Sequence, residues 1–248
     1  MSAVALLEPE VAATVLGRAP DEIRISYVRY KPGRRLVVQY AVSGEVAVAI
    51  ADARAGRGPT VGLQWLPVDA ALPALALRGP ELARRLRTNG VPASPTEPEL
   101  LAYRPLRRAV LRLGRHVLKL YADGPAFVRA RDGIALAASE PRLHAPALAG
   151  TVDDLWLVAL EAVEGARLDD PLPRAAELGS LLRELHALDA TGLRTLPVEA
   201  TLSAAREAVA VLDAIAPETG RLAGAVLRRL ASSAPTGLAP ATCHADFE

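Results

Sequence analysis

Two β-prone runs flank a glycine corner in Arg107-Arg108-Ala109-Val110-Leu111-Arg112-Leu113-Gly114-Arg115-His116-Val117-Leu118-Lys119-Leu120-Tyr121. This pattern predicts a β-hairpin with its turn at Gly114-Arg115. The second run carries a lysine, and an unpaired charge buried inside an apolar strand is unfavourable. Two interpretations stay open on the strand alone. Lys119 binds an anion such as a nucleotide phosphate, or its ammonium group reaches solvent at the strand edge.

Lysine is rare in this chain. The sequence has 29 basic residues, of which only Lys31 and Lys119 are lysines. Arginine is a planar fork, whereas lysine is a compact point charge on a flexible stem, so a site that needs the second does not accept the first. The rarity of lysine therefore favours a specific role for Lys119.

The hairpin has a counterpart earlier in the chain. Residues 30–38 (Tyr-Lys-Pro-Gly-Arg-Arg-Leu-Val-Val) align with residues 103–111 (Tyr-Arg-Pro-Leu-Arg-Arg-Ala-Val-Leu). With two extra residues allowed in the first copy, residues 50–52 align with residues 121–123, which places Val48 at the position of Lys119. We predict a duplicated hairpin whose first copy lacks the lysine; the alternative is chance similarity between two amphipathic hairpins.

Strand patterns come first in the chain and helical patterns second. Strands are predicted over residues 23–30, 35–42, 46–51, 62–66, 107–113, 116–121 and 155–161, and helices over 8–16, 80–88, 124–139, 171–188, 200–215 and 218–232. The change of character falls near Glu161–Gly165. This order predicts an α+β fold in which sheet and helices are segregated.

Composition excludes several classes of protein. The net charge of +1 gives no electrostatic case for nucleic acid or for an anionic membrane surface. Cys243 is the single cysteine, which fits a reducing compartment. The N-terminal residues do not resemble a signal peptide, and no apolar run is long enough to span a bilayer. We therefore expect a cytoplasmic protein without nucleic-acid or membrane partners.

The end of the chain reads Cys243-His244-Ala245-Asp246-Phe247-Glu248. A His-x-Asp motif that follows helices and lies downstream of a lysine-bearing sheet has the order of parts of a kinase: first the lysine that binds phosphate, then the aspartate of the catalytic loop. The motif alone is weak evidence. Together with Lys119 and the leucine-rich helix at 178–186 it becomes moderately specific.

On these segments the chain resembles the aminoglycoside phosphotransferase and choline-kinase-like family of small-molecule kinases. The match rests on residues 117–121 (Val-Leu-Lys-Leu-Tyr), 160–165 (Leu-Glu-Ala-Val-Glu-Gly), 178–186 (Leu-Gly-Ser-Leu-Leu-Arg-Glu-Leu-His) and 244–247 (His-Ala-Asp-Phe). The resemblance implies a bilobal, protein-kinase-like fold. Its parts are an N-terminal extension with the first hairpin (1–94), a β N-lobe with Lys119 (95–163) and an incomplete helical C-lobe (164–248).

The resemblance also implies roles for individual residues. Lys119 would hold the α- and β-phosphates of ATP, and the backbone of Glu161, Ala162 and Val163 would bind adenine. Asp246 would orient or deprotonate the hydroxyl of a small acceptor, such as an aminoglycoside, a sugar or choline, while His244 supports the loop. The family's Mg²⁺ ligands follow this loop and are expected beyond Glu248. We therefore expect the chain to be a piece of a longer protein, inactive alone and with apolar surface exposed in its helical part.

Some residues depart from the family pattern. Alanine at 245 replaces the usual glycine. No glutamate lies between 124 and 139 to pair with Lys119, so Asp132 and, at the helix end, Glu140 are the nearest acids. These departures keep open a second class of function, a non-catalytic nucleotide-binding or interaction module. A third and weaker interpretation is a hydrolase that uses Cys243; the histidines have no metal-ligand spacing, and no metal site is predicted in this chain.

Overall fold

The computed structural model describes residues 3–31, 33–52, 60–165, 172–189, 191, 193, 195 and 197–234. Within these ranges the strands are β1 (Ile23–Lys31), β2 (Arg35–Val42), β3 (Glu45–Asp52), β4 (Thr60–Trp65), β5 (Glu99–Arg104), β6 (Arg108–Leu113), β7 (His116–Tyr121), β8 (Leu148–Val152) and β9 (Leu157–Glu161). The helices are α1 (Pro9–Leu16), α2 (Gly79–Thr88), α3 (Gly124–Ala138), α4 (Ala175–Ala187), α5 (Val198–Ile215) and α6 (Pro217–Ser232). The predicted α+β class is confirmed. No helix in the described ranges is long and apolar enough to cross a membrane.

The strands form two antiparallel sheets, one of order β1-β2-β3-β4 and one of order β5-β6-β7-β9-β8. The chain divides into two compact units, and each unit contains one of these sheets. The first unit runs to Asp69 and also takes in α5 and α6; the second runs from Ala70 to Arg194. Residues 70–94, which the sequence assigned to the N-terminal block, thus belong with the second sheet.

The first sheet is closed on one face by α1 and the residues before it. Leu36, Val38, Tyr40 and Val42 alternate along β2 and pack with Leu6, Ala12 and Leu16 in one apolar cluster. Because alternate residues of a strand share a face, this pattern fixes which side of the sheet α1 covers. The Tyr40 hydroxyl donates a hydrogen bond to the Leu6 carbonyl at 2.7 Å, and burial raises the pKa of Tyr40 to about 12.

The second sheet is covered on both faces. His116, Leu118 and Leu120 of β7 lie on one face and are at most 1% exposed. Residues of α2 and the segment after it approach the neighbouring strands: Arg85 forms a 3.0 Å ion pair with Asp154, and Val91 packs against Gly150 of β8. The other face meets α3, where Phe127 packs with Val158 and Leu160 of β9.

The register of the two sheets supports the duplicated hairpin. Tyr30 pairs with Leu36 and Lys31 with Arg35 in the first sheet. At the aligned positions of the second sheet, Tyr103 pairs with Ala109 and Arg104 with Arg108.

One detail of the alignment was wrong. Arg35 pairs with Asp52 and Arg108 pairs with Tyr121, so counting back from these pairs places Ile50, rather than Val48, at the position of Lys119. Each strand of the first β2–β3 hairpin is two residues longer than its counterpart, whereas the sequence alignment allowed two extra residues in all. The first copy still has no lysine at that position.

The helices after β9 expose apolar side chains. On α6, Leu222, Val226 and Leu230 lie one turn apart and are 68%, 59% and 58% exposed. No residue of α4 or α5 is buried in the described ranges. These observations agree with the expected apolar surface in the helical part of the chain.

Candidate functional site: the lysine face of the second sheet

Lys119 lies on β7, the central strand of the second sheet. Its neighbours across the sheet are Val110 on β6 and Val158 on β9. Directly opposed residues of an antiparallel pair project to the same side. The side that contains Lys119 also contains Arg108, Val117 and Tyr121. We call these six residues the lysine face.

The lysine face is the side of the sheet that α3 covers in part. Val117 and Tyr121, which flank Lys119 on β7, pack against the cluster of Phe127, Val158 and Leu160. Val117, Lys119 and Tyr121 are each half-buried, in contrast to the fully buried residues that alternate with them. The ammonium group of Lys119 is therefore set in an apolar surround that remains partly open to solvent.

The electrostatic environment of Lys119 is cationic. Burial lowers the pKa of Lys119, and the charge of Arg108 lowers it further. Within the part of the chain that the structure describes, no carboxylate lies at ion-pair distance from Lys119. Such an environment disfavours an ammonium ion unless an anion is brought to it.

The two acids proposed from the sequence as partners of Lys119 are engaged elsewhere. One carboxylate oxygen of Asp132 lies 2.8 Å from Nε of Arg131, its neighbour on α3. The carboxylate of Glu140 accepts a hydrogen bond from the backbone N–H of Arg142 at 3.2 Å. The assignment of Asp132 to the phosphate site therefore has no support in this geometry.

Tyr121 and Arg108 belong to the candidate site although the sequence did not single them out for it. Burial raises the pKa of Tyr121, and Arg108, directly opposite on β6, lowers it. The hydroxyl therefore stays neutral and is available as a hydrogen-bond donor beside Lys119. The signal in the sequence is the hairpin register, since a turn at Gly114-Arg115 places residue 108 opposite residue 121.

The segment after β9 was predicted to bind adenine through its backbone. The N–H of Glu161 donates to the Ala147 carbonyl at 2.9 Å, and the N–H of Ala162 donates to the Arg115 carbonyl at 2.8 Å. The N–H of Val163 has no hydrogen-bond partner among the described residues, and its side chain is 64% exposed. Of the three residues, Val163 is thus the one whose backbone donor is available to a ligand.

The predicted catalytic loop lies outside the described residues. His244 and Asp246, and with them Cys243, fall in residues 235–248. Among the residues that are described, no group of three or more His, Cys, Asp or Glu side chains could hold a metal ion.

No family model, curated protein or solved structure matches this chain.

Proposed function

We propose that the protein is an ATP-dependent phosphotransferase that acts on the hydroxyl group of a small molecule, and that the lysine face is its triphosphate site. The observation that carries the proposal is Lys119: a half-buried ammonium group at the centre of a sheet with no described carboxylate beside it. A phosphate group would supply the missing negative charge through a charge-assisted hydrogen bond.

The order of elements around Lys119 supports this proposal. β7 is the third strand of its sheet in chain order, and α3 follows it directly. Protein kinases place their phosphate-binding lysine on the third strand of a β-lobe and follow it with the helix that packs beside that strand. The segment after β9, with its available Val163 N–H, follows the lysine sheet at the point where the adenine-binding segment would be.

Each residue has a distinct role in the proposed reaction. Lys119 neutralises and positions phosphate oxygens, with Arg108 adding positive potential, while Tyr121 offers a neutral donor. The acceptor oxygen forms a bond to the γ-phosphorus as the bond from that phosphorus to its β,γ-bridging oxygen breaks, which releases ADP. Asp246 orients the hydroxyl group and takes its proton. Such a reaction needs positioning and charge neutralisation more than covalent help from the protein.

Mg²⁺ accompanies ATP in the family that the chain resembles. The described residues do not fit such an ion, because they provide no cluster of acidic ligands. No step of the proposal is therefore assigned to the metal.

A second candidate is a nucleotide-binding module without catalysis. It is favoured by the absence of a glutamate from α3 and by the ion pair that Asp132 makes with Arg131. In protein kinases an ion pair between the lysine and a helix glutamate must be in place for activity. Binding through Lys119 alone requires no such pair.

ATP turnover tests the proposal and separates the two candidates. The full-length protein, which would include the Mg²⁺ ligands expected beyond Glu248, is incubated with ATP, Mg²⁺ and a panel of aminoglycoside, sugar and choline acceptors, and phosphorylated product is measured by mass spectrometry. We expect product from the wild type and a loss of about 10²-fold or more in Lys119→Ala and in Asp246→Asn, the size of a preorganised electrostatic contact. Arg129→Gln, which removes a charge from the exposed side of α3, serves as the control.

Three results decide the matter. ATP binding that depends on Lys119, without turnover in the wild type, would assign the non-catalytic module. Full turnover in Lys119→Ala or Asp246→Asn would refute the assigned roles. If the wild type neither binds nor turns over ATP, the proposal of a triphosphate site at the lysine face is refuted.

A further inference from the structure

The first sheet has a depression at the β1–β2 hairpin end that is lined mainly by cations. Its volume is about 260 Å³, and its lining residues are Arg29, Lys31, Arg34, Arg35, Val37 and Asp52. We call it the hairpin pocket. It lies in the unit that does not contain Lys119, and the proposed phosphotransferase function leaves it without a role.

Strand register builds the hairpin pocket. Lys31 on β1 pairs with Arg35 on β2, which pairs in turn with Asp52 on β3. These three residues therefore share one face, on neighbouring strands about 4.8 Å apart. Arg29 reaches the same face through its pair with Val37. Arg34 enters from the turn, where its N–H donates to the Lys31 carbonyl at 3.0 Å.

The charges of the pocket do not balance. Among the described residues, four cationic side chains and one acid, Asp52, line it. Asp52 is bound by Arg35 in a fork: Nε donates to one carboxylate oxygen and Nη2 donates to the other at 3.2 Å. Lys31 and Arg34 are exposed and form no ion pair with any described residue. Gathered like charges repel, so an anion that enters the pocket gains attraction from several of them at once.

The hairpin pocket and the lysine face are on corresponding faces of the two hairpin copies. Arg35 and Arg108 begin the second strand of each copy, and their opposed residues are Asp52 and Tyr121. The first copy has the apolar Ile50 where the second has Lys119. Its positive charge is concentrated instead at the end of the hairpin. Both copies of the hairpin therefore have a cationic face, but the cations lie at different positions on it.

We propose that the hairpin pocket is a second anion site, which binds a phosphate or diphosphate group, free or carried by a small molecule. The two cations without a described ion pair, Lys31 and Arg34, match an anion with about two negative charges better than a carboxylate. Arginine supplies a planar fork of donors for phosphate oxygens and lysine supplies a point charge. The volume is below the 300–1,000 Å³ typical of sites that enclose a drug-sized ligand. The pocket therefore suits a phosphate group with a small substituent rather than a whole nucleotide.

Calorimetric titration of the whole protein tests this site. The probes are inorganic phosphate, pyrophosphate and glycerol 3-phosphate, each at low ionic strength, where exposed charges are weakly screened. We expect one equivalent of pyrophosphate to bind at the pocket. The double variant Lys31→Gln/Arg34→Gln should weaken this binding about tenfold or more, since two charge-assisted contacts are lost. Tighter binding of glycerol 3-phosphate than of inorganic phosphate would identify an organic phosphate as the ligand, and equal binding would identify the free anion.

The controls separate this site from the lysine face. Arg24→Gln removes an exposed cation from the far end of β1 and should leave pyrophosphate binding unchanged. Lys119→Gln removes binding at the lysine face and should leave the equivalent of pyrophosphate at the hairpin pocket in place. Since both substituted residues of the double variant are exposed, its fold should persist, which a thermal melt verifies. The proposal is overturned if pyrophosphate does not bind, if Arg24→Gln weakens binding as much as the double variant, or if only Lys119→Gln weakens it. None of these outcomes decides whether the lysine face transfers phosphate.

Discussion

Lys119 shows how one residue can be informative because of what surrounds it. The two lysines of this protein lie in different environments. Lys31 is exposed at the end of a strand, whereas Lys119 is half-buried at the centre of a sheet. A structural lysine in the second setting would be paired with an acid, because desolvation disfavours the free ammonium ion. The two acids proposed from the sequence, Asp132 and Glu140, are bound by Arg131 and Arg142 instead. This setting is the reason that we propose a bound anion at Lys119.

His116 gives the protein a predictable response to acid. It is 1% exposed, and its Nε2 atom is buried without a hydrogen-bond partner. Burial lowers the pKa of His116, Arg115 lowers it further, and Glu161, directly opposite on β9, opposes the shift. Arg87, Arg115 and His116 line one surface cavity of about 330 Å³. The folded state therefore disfavours the protonated imidazole.

The sign of the effect follows from linkage. A histidine whose folded pKa lies below the unfolded value of about 6.5 stabilises the protein fully above pH 6.5, and that stability is lost as the pH falls below it. We expect the urea-unfolding free energy of the wild type to decrease between pH 7.5 and pH 5.5. His116→Gln should reduce this decrease, whereas His186→Gln, on the exposed side of α4, should not. The same pH dependence in all three proteins would contradict the account.

At the scale of elements, local patterns predicted most helices and strands. Gly17, with φ of 65°, ends α1 where the sequence placed the stop, and the turn at Gly114-Arg115 falls at the predicted position. The turn between β2 and β3 is one residue shorter than predicted, because Glu45 already pairs with Val42. β5 and β8 were missed because both are short and neither shows a regular alternation of apolar and polar residues. β9 begins at Leu157, two residues later than predicted, since Asp153–Leu155 form a 3-10 turn and Trp156 adopts a left-handed conformation. These features depend on tertiary packing that a local pattern does not contain.

The packing of β8 provides a test with a matched control. A Cβ atom on Gly150, where φ is 156°, would lie 2.5 Å from Cγ2 of Val91, whereas a Cβ atom on Gly133 in α3 would meet nothing within 4 Å. We expect Gly150→Ala to lower the unfolding free energy by about 1–3 kcal/mol through overpacking. Gly133→Ala should raise it by about 0.5–1 kcal/mol, because glycine is unfavourable inside a helix. Denaturant unfolding measures both values, and equal effects would show that Val91 does not confine β8.

At the scale of the whole molecule, the two compact units each contain one copy of the hairpin, and their boundary at Asp69 differs from the predicted division at residue 94. The sequence could not give this boundary, because the burial of Leu82 and Leu86 on α2 is determined by which sheet the helix meets. The lysine, its strand and the hairpin register could be predicted from local patterns. That Asp132 pairs with Arg131 instead of Lys119 could not be predicted from local patterns, since this ion pair depends on the rotamer of Arg131. The position of Asp246 relative to Lys119 remains a prediction from the order of motifs.

The proposed binding of ATP at Lys119 is directly measurable because lysine is scarce in this chain. Amine-selective acetylation followed by mass spectrometry reports Lys119 as a single, separate site. With ATP at about 5 mM, above the usual range of enzyme KM values, we expect the acetylation rate of Lys119 to fall about tenfold, as mass action requires when the ligand is near ten times its Kd. Pyrophosphate at the same concentration lacks the adenine contacts and should protect Lys119 less. An acetylation rate of Lys119 that ATP leaves unchanged would contradict the account.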